Sequence, residues 1–358
     1  MFKKVFALSL MAAASAQAAD VRVYNWTDYV APDTVKNFER DSGLSVHYDV
    51  FDSNETLDAK LMAGRSGYDV VFPSNHFMAR QIKGGAFKPL DRSRLEGYEN
   101  LNPQLLKVLE ANDPGNVYGI PYLWGTGGIG YNVDKVRAAL GDDYVVDSWE
   151  VLFNPEHLSK LADCGVAILD NGPELIPMAL HYLGLPHHSL NKDDYSKAEA
   201  LLLEMRKSVR YFHSSKYVAD LANGEICLAV GFSGDIMQAA NRAKEAGNGM
   251  QIEYVIPKEG TPVWFDMIAI PADSPNEDAA YAFINYLLKP EVIGAITNFV
   301  QYPNANTAAD AYVEPALLND PTVYSPQEVM SKLYALEAMP KDIDRIRTRL
   351  WTRVKSGR

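Results

Sequence analysis

Val21-Arg22-Val23-Tyr24-Asn25-Trp26-Thr27-Asp28-Tyr29-Val30 begins as a strand and ends with aromatic rings on either side of a carboxylate. Val21 and Val23 alternate with Arg22 and Tyr24, the period of a half-buried strand. Ala31-Pro32-Asp33 then opens a helix that carries Val35 and Phe38 and stops at Gly43. A strand that runs straight into a helix is the repeat unit of an open α/β sheet, and such sheets bind ligands beyond the carboxyl ends of their strands. Trp26 and Asp28 are delivered to that place, where a ring face and a carboxylate both attract positive charge. The same residues equally suit a surface turn in which Asp28 caps the next helix.

The unit repeats outward from there. Residues 44–50 read as a second strand, and Asp52-Ser53-Asn54-Glu55 has capping-box spacing ahead of Leu57, Leu61 and Met62. Residues 67–74 form a third, near-continuous apolar strand of the parallel kind. It ends at Ser74, which either caps the following helix or offers its hydroxyl to a ligand. Gly125-Thr126-Gly127-Gly128-Ile129-Gly130 fits the dinucleotide fingerprint, with Glu150 about twenty residues on. That fingerprint needs a helix to open at the glycines, whereas Ile129-Gly130-Tyr131-Asn132 continues as a strand and helical periodicity starts near Asp134. The run is therefore expected to be a glycine-rich crossing between two lobes, where backbone freedom is useful.

Beyond the crossing, acids recur at strand ends and helix starts. A buried strand over 165–169 leads to Glu174 in the first turn of a helix, and a strand over 226–231 leads to Phe232-Ser233-Gly234-Asp235. The latter lacks the G-x-S-x-G spacing of a nucleophile elbow, which argues against a hydrolase. Asp266 lies inside an apolar strand with Trp264 and Ile268 on its face. An unpaired ionised carboxylate there costs several kcal/mol, so a cation must meet it, from an Arg or Lys of the protein or from a ligand. Gln301-Tyr302-Pro303-Asn304 adds an exposed tyrosine near a turn. His187-His188 is adjacent rather than at helical ligand spacing, and no metal site is expected there. The tail places Ile343, Ile346, Leu350 and Val354 on one helical stripe, with Arg345, Arg347, Arg349 and Arg353 on a solvated face.

Met1-Phe2-Lys3-Lys4, an apolar run to Ala14 and small residues at Ala16-Gln17-Ala18 read as a cleaved signal peptide over residues 1–19. No later stretch reaches the roughly 18 apolar residues of a membrane span, so the mature chain is expected to be soluble and exported. A net charge of -12 over 358 residues repels nucleic acid and favours cationic ligands. The length argues for two lobes, divided as 20–123 plus 256–305 and 124–255 plus 306–358. In an oxidising compartment Cys164 and Cys227 suggest one disulfide, with two buried thiols as the alternative.

Tyr24-Asn25-Trp26-Thr27-Asp28-Tyr29, Tyr48-Asp49-Val50-Phe51-Asp52-Ser53-Asn54-Glu55, Tyr211-Phe212-His213-Ser214-Ser215, Ile256-Pro257-Lys258-Glu259-Gly260 and Trp264-Phe265-Asp266 together resemble periplasmic polyamine-binding proteins. These are the putrescine and spermidine receptors of bacterial ABC importers. The resemblance implies a two-lobed α/β periplasmic binding protein fold, each lobe a mostly parallel sheet flanked by helices, with the ligand cleft between them. It implies that Trp26, Thr27, Asp28, Ser74, Trp264 and Asp266 bind the polyamine from one lobe, Glu174, Phe232 and Asp235 from the other, and that Tyr302 closes the pocket. It further implies a periplasmic monomer that is not an enzyme, uses no cofactor and delivers its ligand to ABC permease subunits at the inner membrane. A sensor module on the same fold, signalling to a membrane receptor, is the alternative. Trp264, where putrescine receptors tend to carry phenylalanine, inclines the reading towards spermidine. Thr27 and Phe232 also depart from the family's usual serine and its tryptophan or tyrosine.

Overall fold

The computed structural model describes residues 20–51 and 53–357, so the signal peptide expected over 1–19 lies outside the described residues. Among the described residues there are ten strands: β1 (Val21–Trp26), β2 (Val46–Phe51), β3 (Val70–Val71), β4 (Gly119–Asn132), β5 (Val166–Ile168), β6 (Tyr211–Phe212), β7 (Leu228–Phe232), β8 (Ile252–Val255), β9 (Pro262–Ala269) and β10 (Tyr334–Ala335). Across the sheet they run β2-β1-β3-β9-β4-β7-β5-β6, with β10 paired to β9 and β8 to β4. The first three are parallel, as the strand-helix repeat requires.

Local chemistry sets the helices between them. Helix α1 (Thr34–Ser42) ends where Gly43 adopts φ 74 and returns its N–H to the Glu39 carbonyl. Helix α2 (Asn54–Met62) is capped by Ser53, whose side chain accepts the Thr56 N–H. Asp28 is not the cap of α1. That position belongs to Asp33, and Asp28 sits in the left-handed region at φ 54, in a turn between strand and helix.

Strand β4 joins two packed bodies. Residues 119–126 pair antiparallel with β9, and residues 127–132 pair with β7 and β8. The glycine run thus lies within a strand, as its continuation into Ile129-Gly130-Tyr131-Asn132 indicated, and opens no helix for a pyrophosphate. A Cβ on Gly128 would meet the Tyr254 hydroxyl at 2.4 Å, and one on Gly130 would meet Ile236 at 2.3 Å, so close side-chain approach explains these glycines.

One apolar core gathers residues from Val21 to Trp124 and from Val263 to Ala309, together with Leu333. The other gathers residues from Ile129 to Tyr254 and from Ile343 to Val354. These are the two lobes, and the backbone passes between them within β4, again through 256–261, and a third time through 336–340. The division at 305/306 does not match the packing of the segment that follows it. Ala309 and Leu333 belong to the first core and β10 pairs with β9, because the segment returns over the first lobe before crossing. The last helix, Lys341–Ser356, docks on the second lobe, burying Ile343, Leu350 and Val354. Its arginines do not all face solvent: Arg347 is half-buried and donates to the Pro173 carbonyl at 2.8 Å.

Cys164 and Cys227 form a disulfide with their Cα atoms 5.5 Å apart, just ahead of the adjacent parallel strands β5 and β7. The cross-link closes a loop of sequence separation 63, which restricts the unfolded chain by about 4 kcal/mol in the chain-entropy account. Replacing both cysteines by alanine is expected to lower unfolding stability by about 2–4 kcal/mol. Denaturant titration with and without a reductant measures this, and a variant as stable as the disulfide-bonded parent would contradict it.

Candidate functional site

Asp266 is the centre of the arrangement. It sits midway along β9, every residue of which is buried, and its own exposure is 5%. Its carboxylate accepts the Ser74 hydroxyl at 2.7 Å on Oδ1 and the Tyr29 hydroxyl at 2.8 Å on Oδ2. Neither partner is charged. Burial raises the Asp266 carboxyl to about 6, against the lowering by these two hydrogen bonds. The sequence called for a cation against this acid, and among the described residues no Lys or Arg forms an ion pair with it.

Ser74 occupies the N-cap position of helix α3 (Asn75–Lys83) but makes no side-chain cap bond. Its hydroxyl is held between Asp266 and the Asn54 side-chain amide, which donates to it at 2.9 Å. Asn54 Oδ1 in turn accepts the Ser74 N–H at 3.0 Å. The serine therefore orients an acid rather than capping a helix.

The second lobe brings Asp235, in the first turn of the helix Ser233–Ala246 that follows β7. Its Oδ2 accepts the Tyr217 hydroxyl at 2.6 Å and its Oδ1 the Tyr302 hydroxyl at 3.1 Å. Burial raises its carboxyl above the usual range, while the two hydroxyls and the more distant charge of Arg242 oppose this. Tyr302 follows the first-lobe helix Pro290–Val300, so its bond to Asp235 joins the lobes. The sequence placed Tyr302 at an exposed turn, but it is buried. Its ring packs 5.0 Å from Trp264 and 6.2 Å from Tyr29, which removes it from water. Phe232 meets Trp264 edge-on at 5.9 Å, an aromatic contact across the cleft.

Glu174 is the most isolated acid. It is 3% exposed at the start of the helix Gly172–Tyr182, and Asn171 donates to its Oε1 at 3.1 Å. Its Oε2 is buried and has no hydrogen-bond partner among the described residues. That oxygen lies over β4, 3.4 Å from where a Cβ of Gly127 would be. Desolvation alone pushes the Glu174 carboxyl up to about 8. A buried carboxylate oxygen in such a place is able to accept from a donor that reaches it.

Trp26, Thr27 and Asp28 stand at the edge of this network. Trp26 packs on Phe51 at 4.4 Å with its indole Nε1 buried and unpartnered among the described residues. Thr27 is exposed and donates its hydroxyl to the Phe51 carbonyl at 3.3 Å, and Asp28 is exposed. Tyr29 thus joins the Ser74–Asp266 pair to Tyr302, which contacts Trp264 and Asp235, and Trp264 meets Phe232; Glu174 and the three residues of the opening strand stand outside this series of contacts. Sequence reasoning missed Tyr29 and Tyr217. Tyr29 was within reach of inspection, one residue after Asp28, but Tyr217 lies in a short helix with nothing local to mark it.

Comparison with known proteins places this arrangement among relatives. Residues 33–324 match the family described as bacterial extracellular solute-binding protein. The chain is 53% identical to the putrescine-binding periplasmic protein SpuD of Pseudomonas aeruginosa, over 99% of this chain and 98% of that protein. It is 51% identical to the putrescine-binding periplasmic protein PotF of Escherichia coli, over 96% of this chain and 93% of that one. Among solved structures, the spermidine/putrescine substrate-binding protein PotD of Streptococcus pneumoniae superposes with a TM-score of 0.83 at 28% identity, covering 94% of this chain and 98% of that chain.

Proposed function

Because the chain belongs to the family of bacterial extracellular solute-binding proteins, we propose that it captures a linear polyamine between its lobes in the periplasm and delivers it to an ABC permease. The observation that carries the reading is the set of three acids, Asp266, Asp235 and Glu174, all drawn in from solvent and none in an ion pair among the described residues. Neutral hydroxyls and an amide hold them instead. Ammonium groups supply the missing charge, and the rings of Trp264, Phe232 and Tyr302 suit the methylenes between them. Acids from both lobes on one ligand also explain closure, since only the closed arrangement serves them together. Trp26, Thr27 and Asp28 complete the site from the edge once a ligand is present.

Putrescine is the first candidate. The relatives that are 53% and 51% identical carry putrescine in their names, whereas those named for spermidine and putrescine are 34–35% identical. This support outweighs the inclination towards spermidine that Trp264 suggested. The net charge of -12 favours a cationic ligand and repels nucleic acid. Titration calorimetry with putrescine, cadaverine, spermidine and lysine tests the reading. We expect micromolar or tighter putrescine binding and none for lysine, whose carboxylate faces buried acids. Absence of binding by every diamine and by spermidine, or lysine binding as tight as putrescine, would overturn it.

A further inference from the structure

We propose that a divalent transition-metal ion of the zinc class binds at His187, His188 and Glu337, beside the third crossing between the lobes. His187 and His188 lie in the loop between the helices Gly172–Tyr182 and Lys192–Arg206. Glu337 lies in the segment that leaves β10 for the last helix. Adjacent histidines have no helical ligand spacing, and the third donor is supplied from far along the chain, which is why the sequence alone points away from a site.

The three donor atoms are close enough together to share one ion. His188 Nδ1 is 3.2 Å from His187 Nε2 and 3.6 Å from Glu337 Oε1, and the three donor atoms all lie within 4.8 Å of one another. Zinc–ligand bonds of about 2.0–2.1 Å in a tetrahedron set the donors roughly 3.3 Å apart, between the two measured separations. Two imidazoles and one carboxylate are a borderline-soft donor set that favours zinc over calcium or magnesium, which prefer oxygen alone. Three protein ligands leave a fourth position for water.

The surroundings fix the rings. His187 stacks on Tyr334 of β10 with centroids 4.1 Å apart. His181, nearby, is hydrogen-bonded through Nε2 to the Glu259 carbonyl at 2.6 Å and is not one of the three donors that cluster within 4.8 Å. His188 and Glu337 are exposed, so an ion reaches them from solvent. Bound there, it clamps the 183–191 loop of the second lobe to the segment that carries the chain out of the first.

Titration calorimetry with Zn2+ on the untagged full chain, at pH above 7 and without polyamine, reads the site. One saturable ion per chain is expected, with binding at least tenfold weaker in His188→Ala and in Glu337→Gln, and no comparable heat from Mg2+ or Ca2+. Both substitutions are at the surface, and unchanged thermal midpoints in chelator verify that the variants fold. Visible absorption of the unsubstituted protein with Co2+ gives an independent readout, in which bands of a four-coordinate, nitrogen-ligated ion are expected. No saturable Zn2+ binding, binding that neither substitution weakens, equal binding of Ca2+, or a purely six-coordinate Co2+ spectrum would each overturn the site.

Discussion

Asp266→Asn is expected to weaken putrescine binding by more than about a hundredfold, near 3 kcal/mol or more, while leaving the empty protein at least as stable. The asymmetry follows from where the acid is. In the ligand-free protein Asp266 holds only two neutral hydroxyls, from Ser74 and Tyr29, and burial already favours its uncharged form. Asparagine is nearly the same shape, keeps an acceptor for one hydroxyl and carries no charge to be desolvated, so the fold loses little. The complex loses more, because an ammonium group is then buried against an amide. Removing one partner of a desolvated charge pair typically costs 2–5 kcal/mol, much of it from the charge left behind. Calorimetry for affinity and thermal unfolding without ligand distinguish the two effects. Unchanged affinity would remove Asp266 from the site, and a large fall in stability would make it a structural residue.

Much of this arrangement was legible in the sequence, for reasons that differ by residue. The strand-helix units of the first lobe follow from local periodicity and turn chemistry, and Gly43 and Ser53 end and begin helices where their side chains require it. The glycine run was separable from a nucleotide loop because the residues after it alternate as a strand. Asp266 stood out because nothing in an apolar strand accounts for a carboxylate. Its partners were not legible: Ser74 had two local roles, and only the antiparallel bridge between Ser74 and Asp266 selects one. Tyr302 read as exposed because a turn residue usually is, yet long-range packing on Trp264 buries it. The segment 306–335 could not be assigned to a lobe from its own pattern, since Ala309 and Leu333 join the first core while Val313, Leu317 and Val323 form a separate cluster against Met237 of the second lobe.

The affinity for a diamine should rise steeply with pH through the range where the acids ionise, by on the order of a hundredfold between pH 5.5 and 7.5. Glu174 is held at about 8 and Asp266 at about 6, and Asp235 is also raised. An acid that is protonated in the free protein and ionised against an ammonium group must release its proton on binding. Below its free-state pKa each such acid adds about one decade of affinity per pH unit. Glu174 accounts for most of the span and Asp266 for the lower part. Calorimetry at pH 6.5 in buffers of different ionisation enthalpy should detect release of about one proton per ligand. Glu174→Gln should abolish most of that release and flatten the profile above pH 6. The empty protein should move the opposite way. A carboxyl whose folded pKa is raised binds its proton more tightly folded than unfolded, so its contribution to stability is complete below the unfolded value and is lost as pH climbs through the folded one. Thermal midpoints without ligand should therefore decline from about pH 5 towards pH 8 by this term, and putrescine should restore them most at the alkaline end, where the uncompensated charges are greatest. Affinity independent of pH across this range would mean that the buried acids are already ionised without ligand or are never ionised with it, and either result would contradict a site built on burying them.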